Sequence, residues 1–229
     1  LELLDVSDVV KDSGFAVFSG AVANGGSVRL INAKGMADKL TRKTIDKLTE
    51  TAKTYGAKGL AYLRLTADGE TSSYEKFLAE DEKAALRKAA GAETGDVLLL
   101  VADKDDTVFA ALGALRLEIA KKFDLIPAST YNFLWVTDFP LFEYSEEDGR
   151  YMAKHHPFTM PKEEDMDKIE SDPGACRAKA YDMVVNGMEL GGGSIRINDP
   201  ALQARMFKAL GFTEEQAREN FGFLMDAYH

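Results

Sequence analysis

The sequence lacks an excess of basic charge. Its 229 residues contain 28 Lys and Arg against 38 Asp and Glu, a formal net charge of −10. Proteins that bind nucleic acid through a broad basic surface have the opposite balance. A broad basic surface that binds nucleic acid is therefore excluded for the chain as a whole. A nucleic acid that is bound mainly by other parts of a longer protein is not excluded.

Cysteine and long apolar runs are also scarce. Cys176 is the only cysteine, so an internal disulfide is excluded and we interpret it as a small buried residue. No apolar run is long enough to span a bilayer, and no signal peptide is recognisable. No Cys–His spacing typical of a metal site occurs. We expect a cytoplasmic protein of mixed helix and strand content with no membrane partner.

The first part of the chain alternates predicted strands and helices. An apolar run at residues 15–20 is predicted to be a strand, joined by the turn "ANGGS" to a second strand at 27–35. Further predicted elements are a helix at 42–55, a strand at 59–65, a helix at 73–91, a strand at 96–103 and a helix at 106–123. The proline-containing stretch "DLIPAST" (124–130) then reads as a linker, and we divide the chain into residues 1–128 and 129–229.

The second part is richer in aromatic residues. Residues 131–144 are predicted to form one long strand, with "SEEDG" as a turn and residues 150–159 returning antiparallel to it. A short acidic helix is predicted at 163–171. Two helices follow: Pro200 suits the first turn of one and Gly211 its end, and Thr213 with Gln216 forms a capping box for the other.

The stretch "YDMVVNGMELGGGSIRI" (181–197) carries the first candidate site. Asn186-Gly187 is a strong signal for a two-residue hairpin turn, which predicts strands at 180–185 and 188–197. The register then puts Asp182 and Glu189 on one face, with Gly191 opposite Asp182. Two carboxylates beside open space suit a hydrated Mg²⁺ that carries phosphate groups. The alternatives are a solvated strand face and a flexible glycine linker.

The pair His155-His156 is the second candidate. Adjacent residues on a strand point to opposite faces, so the two histidines are a poor metal chelate and at most one can join a given site. Either is otherwise expected to be a half-buried core residue. Arg196, between two isoleucines, is either a surface arginine or a partly enclosed group that binds a carboxylate.

The second part resembles bacterial-type aspartyl-tRNA synthetases, which are class II enzymes. The matching segments are "FLWVTDFPLFEY", "AKHHPFTMPKEED", "AKAYDMVVNGMELGGGSIRI" and "FGFLMDA". The first part, with "GMADKLTRKTIDKLTETAKTYGAKGLAYLRL" and "LLLVADKDDTVFAALGALRLEIAKKF", is similar to the GAD insertion domain of the same enzymes. The resemblance implies an α+β protein: an insertion domain with a mixed sheet and packed helices at 1–128, then part of the antiparallel synthetase sheet with helices at 129–229.

Such enzymes activate aspartate with ATP to aspartyl-adenylate and transfer the aspartyl group to tRNA(Asp), with Mg²⁺ on the phosphates. Carried over position by position, the resemblance implies roles for residues that the hairpin and the histidine pair already single out. These are His155 and Arg196 for aspartate, Glu189 for ATP, Asp182 and Glu189 for Mg²⁺, and Gly191, Gly192 and Gly193 as the floor of the active site.

Other motifs of the family are not found in this sequence, so we interpret it as a fragment that is catalytically incomplete by itself. The parent enzyme is expected to be a homodimer, and the chain alone is compatible with a monomer. Two alternatives stay open. One is a stand-alone adaptor that binds tRNA or protein through the GAD fold, and the other is a piece of a tRNA-dependent amidotransferase, in which a relative of this domain occurs. Neither alternative needs His155, Glu189 and Arg196 together.

The implied roles conflict with regular strand geometry. Glu189 and Arg196 are seven residues apart, so an unbroken strand would point them to opposite faces. A β-bulge inserts one residue and reverses this parity, and glycine tolerates its backbone angles. We therefore predict a bulge or a comparable break in pairing between Glu189 and Ser194.

Overall fold

A computed structural model describes residues 1–74 and 76–228 of the chain. The chain divides into two compact units, Leu1–Ala128 and Ser129–His229. The division falls within the stretch 124–130, which begins with Asp124 at a positive φ of 55°. Glu75, in the helix predicted at 73–91, and His229, at the end of the last predicted helix, lie outside the described residues.

The first unit is built from a sheet with helices on both faces. Its strands are β1 (Leu4–Asp5), β2 (Ser27–Ala33), β3 (Ala61–Thr66), β4 (Gly69–Ser72) and β5 (Val97–Asp103). Its helices are α1 (Ser7–Val10), α2 (Ala16–Ala23), α3 (Arg42–Thr54), α4 (Glu80–Ala89) and α5 (Asp105–Lys122). The helix predicted at 73–91 is thus confirmed only from Glu80 onward.

The five strands are arranged in the order β1-β2-β5-β3-β4, and every pairing is antiparallel. The α+β class is confirmed, but the prediction of a mixed sheet in this unit is wrong. Helix α3 connects β2 to β3, which run in the same direction. Strand β5 enters between these two strands and runs antiparallel to both, so no parallel neighbours remain.

Strand β5 supports a hydrophobic core on each face of the sheet. Val97, Leu99 and Val101 pack with helices α3 and α5, whereas Leu98 and Leu100 pack on the side of α1, α2 and α4. All five side chains are buried, as the predicted central strand requires.

The predicted strand at residues 15–20 is wrong, because Ala16–Ala23 forms helix α2. A short apolar run does not distinguish a buried strand from a helix by periodicity. The segment "ANGGS" is the end of this helix and no hairpin turn. The Gly26 N–H donates to Ala21 O at 3.0 Å and the Gly25 N–H donates to Val22 O at 3.0 Å, which is a Schellman motif with Gly25 at a φ of 77°.

The second unit contains two small sheets and two closing helices. Its strands are β6 (Phe133–Val136), β7 (Phe142–Ser145), β8 (Arg150–Ala153), β9 (Ala180–Val185) and β10 (Met188–Ser194), and its helices are α6 (Pro200–Ala209) and α7 (Glu214–Tyr228). Strands β10-β9-β6 form one antiparallel sheet, and β7-β8 form a hairpin. The predicted capping box is confirmed by reciprocal bonds between Thr213 and Gln216.

Two elements of this unit differ from the prediction. The single strand predicted at 131–144 is broken into β6 and β7, because Asp138 has a positive φ of 61° and Pro140 follows it. The acidic helix predicted at 163–171 is a short 3₁₀ segment, Glu163–Lys168. Across the described ranges 1–74 and 76–228, no helix is both long and apolar enough to cross a membrane.

Candidate active site

The Asn-Gly turn between β9 and β10 has the predicted conformation. Asn186 and Gly187 have φ values of 49° and 81°, and Val185 pairs with Met188. The Asn186 side chain also ties the hairpin to the preceding chain. Its Nδ2 donates to Thr130 O at 2.9 Å, and its Oδ1 accepts from the Asn132 N–H at 2.9 Å. The turn residue therefore fixes strand β6 against β9, a role that the sequence pattern did not reveal.

The predicted β-bulge is present at Leu190. Glu189 pairs with Val184, but the next residue to pair is Gly191, which is opposite Met183. Leu190 is the extra residue and has no cross-strand partner. The bulge also corrects the predicted register, because Asp182 faces Gly192 and not Gly191.

The bulge brings the candidate charged residues to one cavity. Alternation from Glu189 across the inserted residue puts Gly192, Ser194 and Arg196 on the face that carries Asp182 and Glu189. This face opens into a cavity of about 320 Å³. Its lining consists of His155, His156, Ala180, Asp182, Glu189, Gly192, Gly193, Ser194 and Arg196.

The three glycines have different surroundings. A methyl group at Gly192 would come within 2.0 Å of Asp182 Oδ1, and one at Gly193 would come within 3.0 Å of the Tyr181 hydroxyl. A methyl group at Gly191 would meet no atom within 4 Å, and this residue does not line the cavity. Gly192 and Gly193 both line the cavity, and Gly192, on the cavity face, leaves the space that the Asp182 carboxylate occupies.

Both histidines line the cavity, so the prediction that only one can face a given site is wrong. Strand β8 ends at Ala153, and His155 and His156 lie in the bend that follows, where strand alternation no longer applies. The exposed His155 ring packs edge-on against Phe139, with ring centroids 4.9 Å apart.

His156 is the more enclosed of the two histidines. Its Nδ1 accepts a hydrogen bond from the Phe158 N–H at 3.2 Å, which leaves Nε2 to carry the proton of the neutral ring. Burial, and then the nearby positive charge of Arg196, lower the pKa of His156 below its ordinary value. His156 therefore contributes a neutral ring to the cavity.

The backbone on both sides of Arg196 is firmly held. The Met160 N–H donates to Ile195 O at 2.8 Å, and the Ile197 N–H donates to Phe158 O at 2.9 Å. Ile197 is fully buried in the core of this unit. The Arg196 side chain itself is exposed rather than partly enclosed, so it projects into the cavity from a fixed backbone with its guanidinium open to a ligand.

A buried carboxylate anchors the segment that follows the histidines. Asp165 is fully buried, and its oxygens accept from the Arg177 N–H at 3.1 Å, from Arg177 Nε at 2.7 Å and from Lys168 Nζ at 2.7 Å. Next to it, Pro161 forms a β-bridge with Ala178. The Asp165 anchor therefore holds residues 158–161 in the position from which they contact the backbone around Arg196.

The side chains that line the cavity show how the predicted Mg²⁺ could be held. Among residues 1–74 and 76–228, no three His, Cys, Asp or Glu side chains are grouped so that they could hold a metal ion by themselves. Asp182 and Glu189 provide two carboxylates on one face. Mg²⁺ is commonly held by one or two carboxylates together with water and substrate phosphates. This pair could therefore bind the ion when water and phosphate oxygens supply the remaining ligands.

Comparison with known proteins gives matches along the whole chain. Residues 18–112 match the GAD domain. An aspartate–tRNA(Asp/Asn) ligase of Anoxybacillus flavithermus is 59% identical over 228 residues, and that of Lachnoclostridium phytofermentans is 59% identical over 229. An aspartate–tRNA ligase of Ruminiclostridium cellulolyticum is 58% identical over 229 residues. Each match covers 100% of this chain and 38% of the relative, so the chain spans well under half the length of these curated relatives.

Proposed function

We propose that this chain, which belongs to the family of bacterial-type aspartyl-tRNA synthetases, provides the aspartate-binding and metal-phosphate-binding part of an aspartate–tRNA ligase site. The parent enzyme would activate aspartate with ATP to aspartyl-adenylate, with release of pyrophosphate. It would then transfer the aspartyl group to tRNA(Asp).

The bulge at Leu190 is the observation that supports this proposal most strongly. It reverses the alternation of strand β10, so that Arg196 lines the same cavity as Asp182 and Glu189. A cation for the amino acid and two carboxylates for a metal then lie in one site. An adaptor that only docks onto a partner would need no such arrangement.

In this proposal Arg196 binds the side-chain carboxylate of aspartate. A guanidinium can form two parallel hydrogen bonds with a carboxylate, which favours aspartate over its amide. His155 and the neutral His156 ring border the same cavity, and His155 would contact the bound amino acid. Gly192, which lacks a side chain on the cavity face, lets a flat ligand approach the backbone of β10 closely.

Glu189 and Asp182 would act on the nucleotide. Glu189 would contact ATP, and the two carboxylates together would hold Mg²⁺. When bound, the ion would neutralise charge on the phosphates while the aspartate carboxylate attacks the α-phosphorus. The work of the protein here is to keep both carboxylates on the cavity face. Glu189 pairs with Val184, which shares a face with Asp182, and Gly192 opposite Asp182 leaves room for its carboxylate.

The first unit, residues 1–128, corresponds in this proposal to the GAD insertion domain, and residues 129–229 to part of the catalytic domain. The parent enzyme would work in the cytoplasm as a homodimer, with tRNA(Asp), aspartate and ATP as its partners. The chain alone would be catalytically incomplete.

A chimera tests the proposal. The segment of the Anoxybacillus flavithermus relative that matches this chain is replaced by this chain, and aspartate-dependent exchange between ATP and pyrophosphate is measured, followed by charging of tRNA(Asp). We expect both activities. A chimera that unfolds cooperatively at a temperature near that of the unmodified relative, yet supports neither activity, would contradict the proposal.

A further inference from the structure

A second and larger cavity lies in the first unit, apart from the candidate active site. It has a volume of about 680 Å³ and is open on one side. Helix α2 forms one wall, and the facing wall comes from β5 and from the chain that leads into β3. A volume of this size is typical of sites for small organic ligands.

The cavity exists because small residues face each other across it. Helix α2 contributes Ala16, Gly20 and Ala21, and the opposite wall contributes Gly59 and Ala102. Protein interiors are normally packed to the density of organic crystals, and one larger side chain on either wall would fill much of this space. The lining is thus unusually bare for a place so close to the hydrophobic core.

Helix α2 is itself unusual for a surface helix. Its sequence "AVFSGAVA" has no charged residue, yet Phe18 is its only buried member and Val17 is 54% exposed. A helix that is apolar all round is normally buried. The Phe18 ring packs edge-on against Phe15, whose ring is stacked on the exposed Phe77. Phe15 and Phe18 of this aromatic group belong to the lining of the cavity.

The rim carries more positive than negative charge, although the whole chain is acidic. Lys58 and Lys104 are exposed at the rim, and neither forms an ion pair within the described part of the chain. Asp103 is the acidic residue beside them, and its Oδ1 accepts from the Lys104 N–H at 2.9 Å. An apolar cleft with these two lysines at its rim favours a ligand that has an apolar body and an anionic group.

We propose that the cavity between α2 and strands β3 and β5 binds a small organic monoanion with an aromatic or aliphatic body. The body lies against the partly buried Phe15, Ala61 and Ala102, and the anionic group lies at the rim beside Lys58 and Lys104. The site is separate from the aspartate-binding cavity and does not depend on the function proposed for it.

The test titrates the ¹⁵N-labelled 229-residue chain with 2-naphthoate and follows backbone amide shifts. We expect saturable shifts at Ala61 and Ala102. The variant Gly20→Leu extends a side chain into the cavity, where a methyl group meets nothing within 4 Å, and leucine is a good helix former. It should weaken binding by at least about tenfold. The matched control Gly113→Leu, at a helical glycine of α5 with equally open space, should leave binding unchanged.

A second pair of variants tests the charge. Lys58→Gln should weaken 2-naphthoate about fivefold and leave the neutral 2-naphthamide unaffected, while Lys47→Gln on the exposed face of α3 should change neither. Absence of saturable shifts up to the solubility limit of the naphthoate would overturn the proposal. Binding that Gly20→Leu leaves unchanged would overturn it as well, because the probe would then lie elsewhere.

Discussion

Gly192 lies directly opposite Asp182 in the ladder between β9 and β10, and a methyl group at Gly192 would come within 2.0 Å of the Asp182 carboxylate oxygen. The residue that lacks a side chain thus determines where a proposed metal ligand stands. The inserted Leu190 creates this pairing, because it shifts the register by one residue. The glycine run is therefore part of a strand and not a flexible linker.

Gly192→Ala should displace the Asp182 carboxylate. The carboxylate can rotate away from the methyl group, but the methyl would also lie 3.0 Å from the Tyr181 carbonyl oxygen, so we expect the free energy of unfolding to fall by about 1–2 kcal/mol. In the chimera, ATP–pyrophosphate exchange should fall by at least about tenfold, since misplacement of a functional group by a fraction of an ångström is costly. Gly191→Ala, where a methyl group meets no atom within 4 Å, is the matched control and should keep near-normal exchange. Equal activity of the two variants would contradict the role of Gly192.

Arg196→Lys in the chimera should reduce the efficiency of aspartate activation by about 2–4 kcal/mol, because an ammonium cannot form the paired hydrogen bonds of a guanidinium. The loss should appear mainly in the KM for aspartate and much less in the KM for ATP. Arg218→Lys, which alters an exposed ion pair with Asp226 outside the cavity, should change neither constant. Unchanged aspartate kinetics in Arg196→Lys would count against the assignment.

The isolated 229-residue chain should not activate aspartate. The charged side chains of its cavity are two carboxylates and one arginine, with two histidines beside them. This lining offers little positive charge to a triphosphate. When catalytic groups act as a unit, removing only some of them costs an enzyme nearly all of the activity that the complete set provides. The measurement is aspartate-dependent ATP–pyrophosphate exchange with chain freed of host enzyme. Exchange that is abolished by Arg196→Ala, and so belongs to this chain, would refute the prediction.

The Asp165 anchor should make the second unit sensitive to acid. Hydrogen bonds from Arg177 first, and then from Lys168, hold the pKa of Asp165 well below its ordinary value. A carboxyl whose pKa is lower in the folded state stabilises the fold fully above its unfolded pKa of about 3.9, and this stabilisation is lost as the pH falls below that value. Stability should therefore decrease as the pH falls from about 5 to about 3.

Asp165→Asn should lower the unfolding free energy at neutral pH and reduce its fall between about pH 5 and about pH 3. Urea unfolding followed by fluorescence reports on this unit, because Trp135 is the only tryptophan and lies in β6. Asp167→Asn, an exposed neighbour, should behave like the unchanged chain. An Asp165→Asn variant with the same pH dependence as the unchanged chain would show that the anchor does not govern acid stability.

The sequence by itself determined the features that depend on neighbouring residues. The Asn186-Gly187 turn follows from the positive φ values that these two residues tolerate, and the helices α3 and α5 follow from apolar periodicity. Even the bulge could be predicted, because strand parity and the implied roles of Glu189 and Arg196 disagree without it.

Only the tertiary structure decided which partner each element meets. It made residues 16–23 a helix and placed β5 between β2 and β3. It also oriented both His155 and His156 so that they line the same cavity. It also set Gly192 rather than Gly191 against Asp182. A turn or a helix is stabilised by backbone preferences within a few residues, whereas strand order and a bend after a strand depend on contacts between residues far apart in the chain, which local patterns do not encode.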